Sequence, residues 1–195
     1  MPTALLPAAG ASRRMGRPKL LLPYRGETIV GSLIASLRAA GVERIVLVIA
    51  PGDDELRSWA EREGLTVAVN PEPERGMLST IQEGLAALGP VHSETLLISP
   101  ADLPAVRPET IAEVVRRREE TGAPLALPVW RGRHGHPLAI APELTSEIAG
   151  LDPLVPNTGL RQLRDRHAAA TLWIDVDDPG AVQDVDTPQD YEALT

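Results

Sequence analysis

Residues 6–23 read LPAAGASRRMGRPKLLLP. The segment holds four positive charges (Arg13, Arg14, Arg17, Lys19), two glycines and no acidic residue, in a chain whose formal net charge is −8. It grows out of Thr3–Pro7, an apolar run that reads as a buried strand. Ala8, Ala9, Gly10 and Ala11 are small enough for the backbone to approach a ligand closely, and successive N–H groups there can form an anion nest. Arg14 can grip phosphate oxygens bidentately, Lys19 brings a movable point charge, and Ser12 adds a hydroxyl. The assembly suits a triphosphate. Composition alone leaves open a surface turn with incidental arginines. Two named glycine motifs are excluded. A Walker loop needs four residues between its glycines and a Ser or Thr after the lysine, whereas Gly10 and Gly16 are separated by five residues and Leu20 follows Lys19. No G-x-G-x-x-G occurs here either.

The rest of the chain sets this loop apart. The first 26 of the 195 residues carry five basic and no acidic side chains, leaving 14 basic against 27 acidic, or −13, for the remainder. Such a body repels polyanions and argues against nucleic acid as a partner. Aromatics make up 3% with no Phe, so the core is expected to be aliphatic and base-stacking platforms are disfavoured. The absence of cysteine excludes disulfides, thiolate zinc sites and iron–sulfur clusters. The longest aliphatic run, Ile45 to Ala50, is too short to span a bilayer. Ser12–Arg13–Arg14 is a poor twin-arginine signal, because Pro23 stops the apolar run that follows. A soluble cytoplasmic protein is expected, with no membrane partner.

Outward from the loop, apolar and amphipathic segments alternate. The pattern predicts strands at Thr3–Pro7, Arg44–Ile49, Leu65–Val69 and Glu94–Ile98, and helices at Glu27–Ala40, Asp53–Arg62, Met77–Leu88 and Pro108–Glu120. Gly41, Gly64 and Gly89 fall at or near helix ends. The series implies an α/β fold: a single Rossmann-like domain with a mostly parallel sheet and helices on both faces. Ligands of such sheets bind beyond the carboxyl ends of the strands, and the basic loop is the first and longest of those connections. After residue 120 the pattern loosens. Pro124–Trp130 and Pro137–Ala141 read as two strands of a hairpin around Arg131–His136, Pro142–Ile148 and Gly159–His167 as short helices, and Thr171–Val176 as a strand. A terminal helix spans Thr187–Leu194, where Thr187 and Asp190 form a capping box. No repeat or linker divides the chain, so residues 1–195 are expected to form one domain, with 1–120 the nucleotide-binding portion and 121–195 the acceptor-binding portion.

The basic loop closely resembles a signature of nucleotidyltransferases that activate small phosphorylated molecules, L-A-A-G-x-S-x-R-M-G-x-P-K-x-L-L-P. Twelve positions match, from Ala8, Ala9, Gly10, Ser12, Arg14, Met15 and Gly16 to Pro18, Lys19, Leu21, Leu22 and Pro23. Pro7 departs from it and removes one backbone donor. The R-M-G-x-P-K-L-L-L-P form is most similar to molybdenum cofactor cytidylyltransferases and their near relatives. The resemblance implies that Pro7, Ala8, Ala9, Gly10, Ser12, Arg14, Gly16 and Lys19 hold the triphosphate, with Lys19 at the α-phosphate. Arg14 would hold the β- and γ-phosphates. Gly76, Ser79 and Thr80 match a segment near the base; Asn70, just before it, could contact base or ribose. Helix-start chemistry explains Ser79 and Thr80 equally well.

Asp102, in Ser99–Pro104, matches a metal-binding D-x-P. Asp186, in Asp184–Asp190, matches D-[IV]-D-T-P-x-D and is implied as a second Mg²⁺ ligand ahead of Asp184. Gly135 and His136 match a G-H-P element near the acceptor. His134 and His136 alone make a poor zinc site. The implied reaction is Mg²⁺-dependent transfer from CTP to the terminal phosphate of molybdopterin, releasing pyrophosphate, with a transient contact to the receiving molybdoenzyme or its chaperone. Alternatives are guanylyl transfer to the same cofactor, transfer to a sugar or polyol phosphate, and a non-catalytic nucleotide- or cofactor-binding chaperone.

Overall fold

Along β1 (Thr3–Pro7) every residue is buried, and consecutive side chains enter two separate apolar layers. Ala4 and Leu6 join one layer and Leu5 the other, as the two-residue period of a strand dictates. A strand covered on both faces is the mark of a parallel α/β sheet. The computed structural model describes residues 1–10, 18–91, 93–155 and 159–194. Ser12, Arg14 and Gly16 lie outside them.

After β1 the chain makes a short hairpin, β2 (Pro23–Tyr24) and β3 (Glu27–Thr28), then α1 (Ile29–Ala39), β4 (Arg44–Ile49), α2 (Asp54–Arg62), β5 (Thr66–Val69), α3 (Met77–Leu88), β6 (Leu96–Ile98) and α4 (Pro108–Thr121). The second part contains β7 (Leu125–Trp130), β8 (Arg133–His134), β9 (Leu138–Ile140), α5 (Thr145–Ala149), α6 (Leu160–Arg166), β10 (Thr171–Asp175) and α7 (Pro188–Leu194). The strands of the main sheet run in the order β10-β7-β9-β6-β1-β4-β5, with β8 paired to β7. Pairings β6–β1–β4–β5 and β7–β10 are parallel, whereas β9 is antiparallel to both β6 and β7. Helices α1, α2 and α4 cover the face that includes Leu6 and Leu47, and α3, α5 and α6 cover the face that includes Leu5 and Val48. No helix among the described residues is long and apolar enough to cross a membrane.

Local chemistry explains the ends. Thr28 caps α1 by accepting from Gly31 N at 3.0 Å, and Asp53 caps α2 through Leu56 N. The first helix starts two residues later than the pattern predicts, because Glu27 and Thr28 pair with Pro23 and Tyr24. The capping box of α7 is present: Thr187 N donates to Asp190 Oδ2 at 2.7 Å, and Asp190 N to Thr187 Oγ1 at 3.2 Å. Pro7 costs the sheet nothing. Ala8 N donates to Val48 O, so the even-numbered residues of β1 donate towards β4; Thr3 N donates to Thr95 O, so the odd ones donate towards β6. Pairing with β6 ends at Leu5–Ile98, and the missing N–H of Pro7 would point past that end.

Candidate active site

Beyond the carboxyl ends of β1, β4 and β6 lies a cavity of about 600 Å³. Its walls come from Pro7–Gly10 at the end of β1, Lys19 and Leu20, Ala50 after β4, the turn at Pro73 and Glu74, the start of α3 with Gly76 and Thr80, and Pro100–Asp102 together with Asp186. The cradle is therefore built from connections that leave a parallel sheet on one side, where carboxyl ends converge. Gly76 opens α3 at φ 93°, ψ −176°, a conformation that essentially only glycine adopts, so the turn into the cavity wall depends on it. Ala8 N is spent on Val48 O at 2.8 Å, which leaves donation to a ligand to the backbone that follows.

At the cavity wall, Lys19 Nζ stands 2.5 Å from Asp102 Oδ2 and 2.8 Å from Asp186 Oδ1. Three segments distant in sequence thus meet on one ammonium. The side chains of Lys19 and Asp102 are only 12% and 15% exposed. Burial works against the Lys19 ammonium, but Asp102 and then Asp186 outweigh it and hold the group above its ordinary range. Burial pushes the Asp102 carboxyl up; Lys19 opposes that, and Asp184 and Asp186 add like charge. Acid outnumbers base at this point. Asp102 Oδ1 is also buried without a hydrogen-bond partner among the described residues, a state that calls for a further cation or donor. The residues fit a divalent metal of the Mg²⁺ kind, which takes one or two carboxylates and fills its remaining positions with phosphate oxygens and water. No group of three or more His, Cys, Asp or Glu side chains with metal-binding geometry occurs among the described residues.

The expected residues divide into two sets. Pro7, Ala8, Ala9, Gly10, Lys19, Gly76, Thr80, Asp102 and Asp186 all line the cavity. Asn70 and Ser79 do not. Asn70 is 1% exposed; its Nδ2 donates to Ser79 Oγ and Thr80 Oγ1, and its Oδ1 accepts from Glu72 N. With those bonds made, the amide braces the turn before α3. Ser79 Oγ donates back to Gly76 O at 2.8 Å, the helix-start alternative.

Gly135 and His136 do not line the cavity either. A Cβ on Gly135 would lie 2.6 Å from Ala181 O, so this glycine is needed for close backbone packing. His136 N donates to Ala181 O at 2.8 Å. Burial pushes its imidazole down to about 4, against the pull of Asp184 and a bond to the Ile98 backbone, and its Nδ1 is buried and unpartnered among the described residues. His134 faces elsewhere, with its ring centroid 4.5 Å from that of Trp173. Asp184 is exposed, whereas Asp186 is half-buried and reaches Lys19.

Two features escaped the sequence. Glu74 lines the cavity from a short turn, and Asp178, 2% exposed, joins two loops behind it. Asp178 begins a D-P-G turn, which signals local turn chemistry only; its partners Arg107 and Thr110 are 71 and 68 residues away.

Residues 4–171 match the model of the MobA-like NTP transferase domain. The chain is 28% identical to a molybdenum cofactor cytidylyltransferase of Escherichia coli, over 96% of this chain and 92% of that one. It is 31% identical to a nicotine blue oxidoreductase of Paenarthrobacter nicotinovorans, over 98% and 95%. A bifunctional protein GlmU of Parvibaculum lavamentivorans is 37% identical over 123 residues, and there the chain spans only 27% of the relative's length. Among solved structures, Rv0371c of Mycobacterium tuberculosis superposes with a TM-score of 0.82 at 28% identity, covering 99% of this chain and 96% of that one; a manganese complex of Rv0371c is also similar. The chain therefore belongs to the MobA-like NTP transferase family and is a nucleotidyltransferase.

Proposed function

We propose that the protein transfers a cytidylyl group from CTP to the terminal phosphate of molybdopterin or a closely related phosphorylated cofactor, releasing pyrophosphate, with Mg²⁺ held by Asp102 and Asp186. The observation that carries this reading is the meeting of Lys19, Asp102 and Asp186 on the wall of the cavity. The relative of E. coli, similar over nearly the whole chain, supports cytidylyl transfer to a molybdenum cofactor.

The acceptor's phosphate monoester has a second pKa of about 6 and is mostly dianionic at neutral pH. It needs no general base to attack the α-phosphorus. Positioning and charge neutralisation are what remain for the protein to supply. Pro7 and Ala8 form the wall against which the triphosphate lies, the backbone from Ala9 and Gly10 onward donates to it, and the matched signature assigns Ser12, Arg14 and Gly16 to the same ligand. Lys19 leaves the carboxylates and neutralises charge at the α-phosphate, while Arg14 holds the β- and γ-phosphates as pyrophosphate departs. Mg²⁺, when bound, neutralises charge on the transferring phosphoryl group. Residues 121–195 supply the acceptor side, with Gly135 and His136 supporting it from the packed layer next to Ala181.

The test follows pyrophosphate release with Mg²⁺, each of the four nucleoside triphosphates, and molybdopterin or sugar and polyol phosphates as acceptors. Release with CTP and molybdopterin is expected. Release only with another pair reassigns the substrates, and no release with any pair removes the transferase reading for the acceptors tried. The identity to the nicotine blue oxidoreductase of P. nicotinovorans favours one second reading, redox chemistry on a small organic substrate in the same cleft. Nucleotide-independent oxidation of NADH or NADPH with such a substrate would support it; none is expected.

A further inference from the structure

Asp178 is the most deeply buried carboxylate among the described residues, and its partners Arg107, Thr110 and Gly180 do not line the cavity. It stands between β10 and the short turn Pro179–Val182. Its Oδ2 accepts from Arg107 N at 2.9 Å and from Thr110 Oγ1 at 2.7 Å; its Oδ1 accepts from Gly180 N at 3.0 Å and lies 3.4 Å from Arg107 Nε. Arg107 is the N-cap residue of α4, and its own side chain makes no capping bond. Asp178 supplies that cap from a distant segment, with its charge at the positive end of the helix. Helices α1 and α2 are capped by their own N-cap residues, Thr28 and Asp53.

The bond joins two particular segments. The loop entering α4 carries Asp102, and the turn after Asp178 leads to Asp186. The same two segments are locked by backbone contact. Val185 N donates to Asp102 O at 3.0 Å, and a Cβ on Gly180 would fall 2.1 Å from Ala105 O. Backbones this close transmit any shift of the turn to Asp102.

We propose that Asp178 is a positioning residue that fixes Asp102 against Asp186 and so sets the affinity of that pair for a divalent cation. The proposal rests on the reading that these two carboxylates hold the metal. Asparagine in place of Asp178 keeps the size and turns one acceptor into a donor. Whichever way its amide lies, an N–H then faces either Gly180 N or the Arg107–Thr110 pair. One side of the junction must open.

Mn²⁺ binding, followed by EPR well below each variant's melting temperature and without nucleotide, tests this. Asp178→Asn is expected to weaken Mn²⁺ binding about tenfold, as loss of a residue supporting a metal ligand does. Thr110→Val, which removes one of the bonds, should weaken it less, and Thr110→Ser should restore wild-type affinity. Lower melting temperatures with unchanged Mn²⁺ affinity in the folded variants would overturn the proposal. If Asp178→Asn does not fold, the Thr110 pair decides: wild-type Mn²⁺ affinity in Thr110→Val overturns it. Wild-type protein that binds no Mn²⁺, or an Asp102→Asn variant that binds it normally, would instead remove the underlying metal reading.

Discussion

Gly10 and Gly180 lack the same atom for opposite reasons. A Cβ on Gly10 meets nothing within 4 Å among the described residues, whereas one on Gly180 collides with Ala105 O. The first glycine borders the cavity after β1 and leaves space open there. The second lets one backbone lie against another. The contrast extends to the two parts of the sheet. Around β1, β4 and β6 the chain builds a parallel scaffold whose carboxyl-end loops line the cavity. Around β7, β9 and β10 it brings loops together, with Gly135 and Gly180 each closed on by a carbonyl. One part presents a site, and the other braces it from behind.

The comparison breaks most severely at the carboxylates. Asp102→Asn should lower turnover about 10³-fold while the protein still folds, a loss comparable to removing a main electrostatic contact to a transition state; steady-state pyrophosphate release and a thermal melt check both halves. Near-wild-type turnover would show that Asp102 holds no metal. Lys19→Met should cost about 10²-fold in turnover. It should also tighten Mn²⁺ binding without nucleotide, because the ammonium no longer competes for Asp102 and Asp186. Weaker Mn²⁺ binding in that variant would mean that Lys19 helps to build the metal site instead of occupying it. On the bracing side, Gly180→Ala should destabilise the fold by about 3 kcal/mol, the upper range for overpacking, since its obstacle is backbone that cannot rotate away. A urea midpoint equal to wild type would show that the two loops are free to separate.

The two parts also differed in how much of them could be read from the chain. In residues 1–120 the strands of the main sheet alternate with helices, after one short hairpin, and stops such as Gly89 after α3 mark the ends, so local pattern and topology agree. Helix α3 matches its expected bounds, and β4 likewise. Beyond residue 120 the hairpin expected around Arg131–His136 forms, as the antiparallel pair β7–β9, but its place in the sheet was not legible. β9 is three buried residues, Leu-Ala-Ile, a run too short and too apolar to announce which second neighbour it takes. It enters antiparallel between β6 and β7, a choice made by pairing rather than by pattern. The site follows the same rule. Lys19, Asp102 and Asp186 could be found because they sit in a recognisable signature. The bracing bonds of Asn70 could not be read, because nothing along the chain reveals that Ser79, Thr80 and Glu72 N meet its amide. Asp178 was missed for a like reason, since its bonds span about seventy residues.

His136 tests the bracing part through pH. Its imidazole titrates at about 4 when folded, against 6.5 as a free side chain, because burial disfavours the charged form. Between these values the unfolded chain binds more protons than the folded one, so stability falls as pH drops through that window. The contribution is complete above pH 6.5 and is lost towards pH 4, at most on the order of 3 kcal/mol. Urea unfolding of His136→Gln at pH 7 and pH 4.5 should show a smaller acid loss than wild type. An equal loss in both proteins would place the acid-sensitive group elsewhere.

Gly10→Ala, the smallest change, asks whether the open space after β1 belongs to a ligand. The backbone at Gly10 is not in the left-handed region and the added methyl meets no described atom, so the folded state should accept it. Replacing glycine also restricts the unfolded chain, which stabilises by about 0.4–1 kcal/mol at a compatible site. The melting temperature should therefore hold or rise slightly. Nucleotide should suffer instead, since the methyl stands on the wall where backbone must approach phosphate oxygens closely. KM for the triphosphate is expected to rise about tenfold, equivalent to about 1.4 kcal/mol of lost binding, with kcat changed much less. A variant that is more stable and binds nucleotide as well as wild type would move the triphosphate away from Gly10. A less stable one would mean that this glycine, like Gly180, serves the fold.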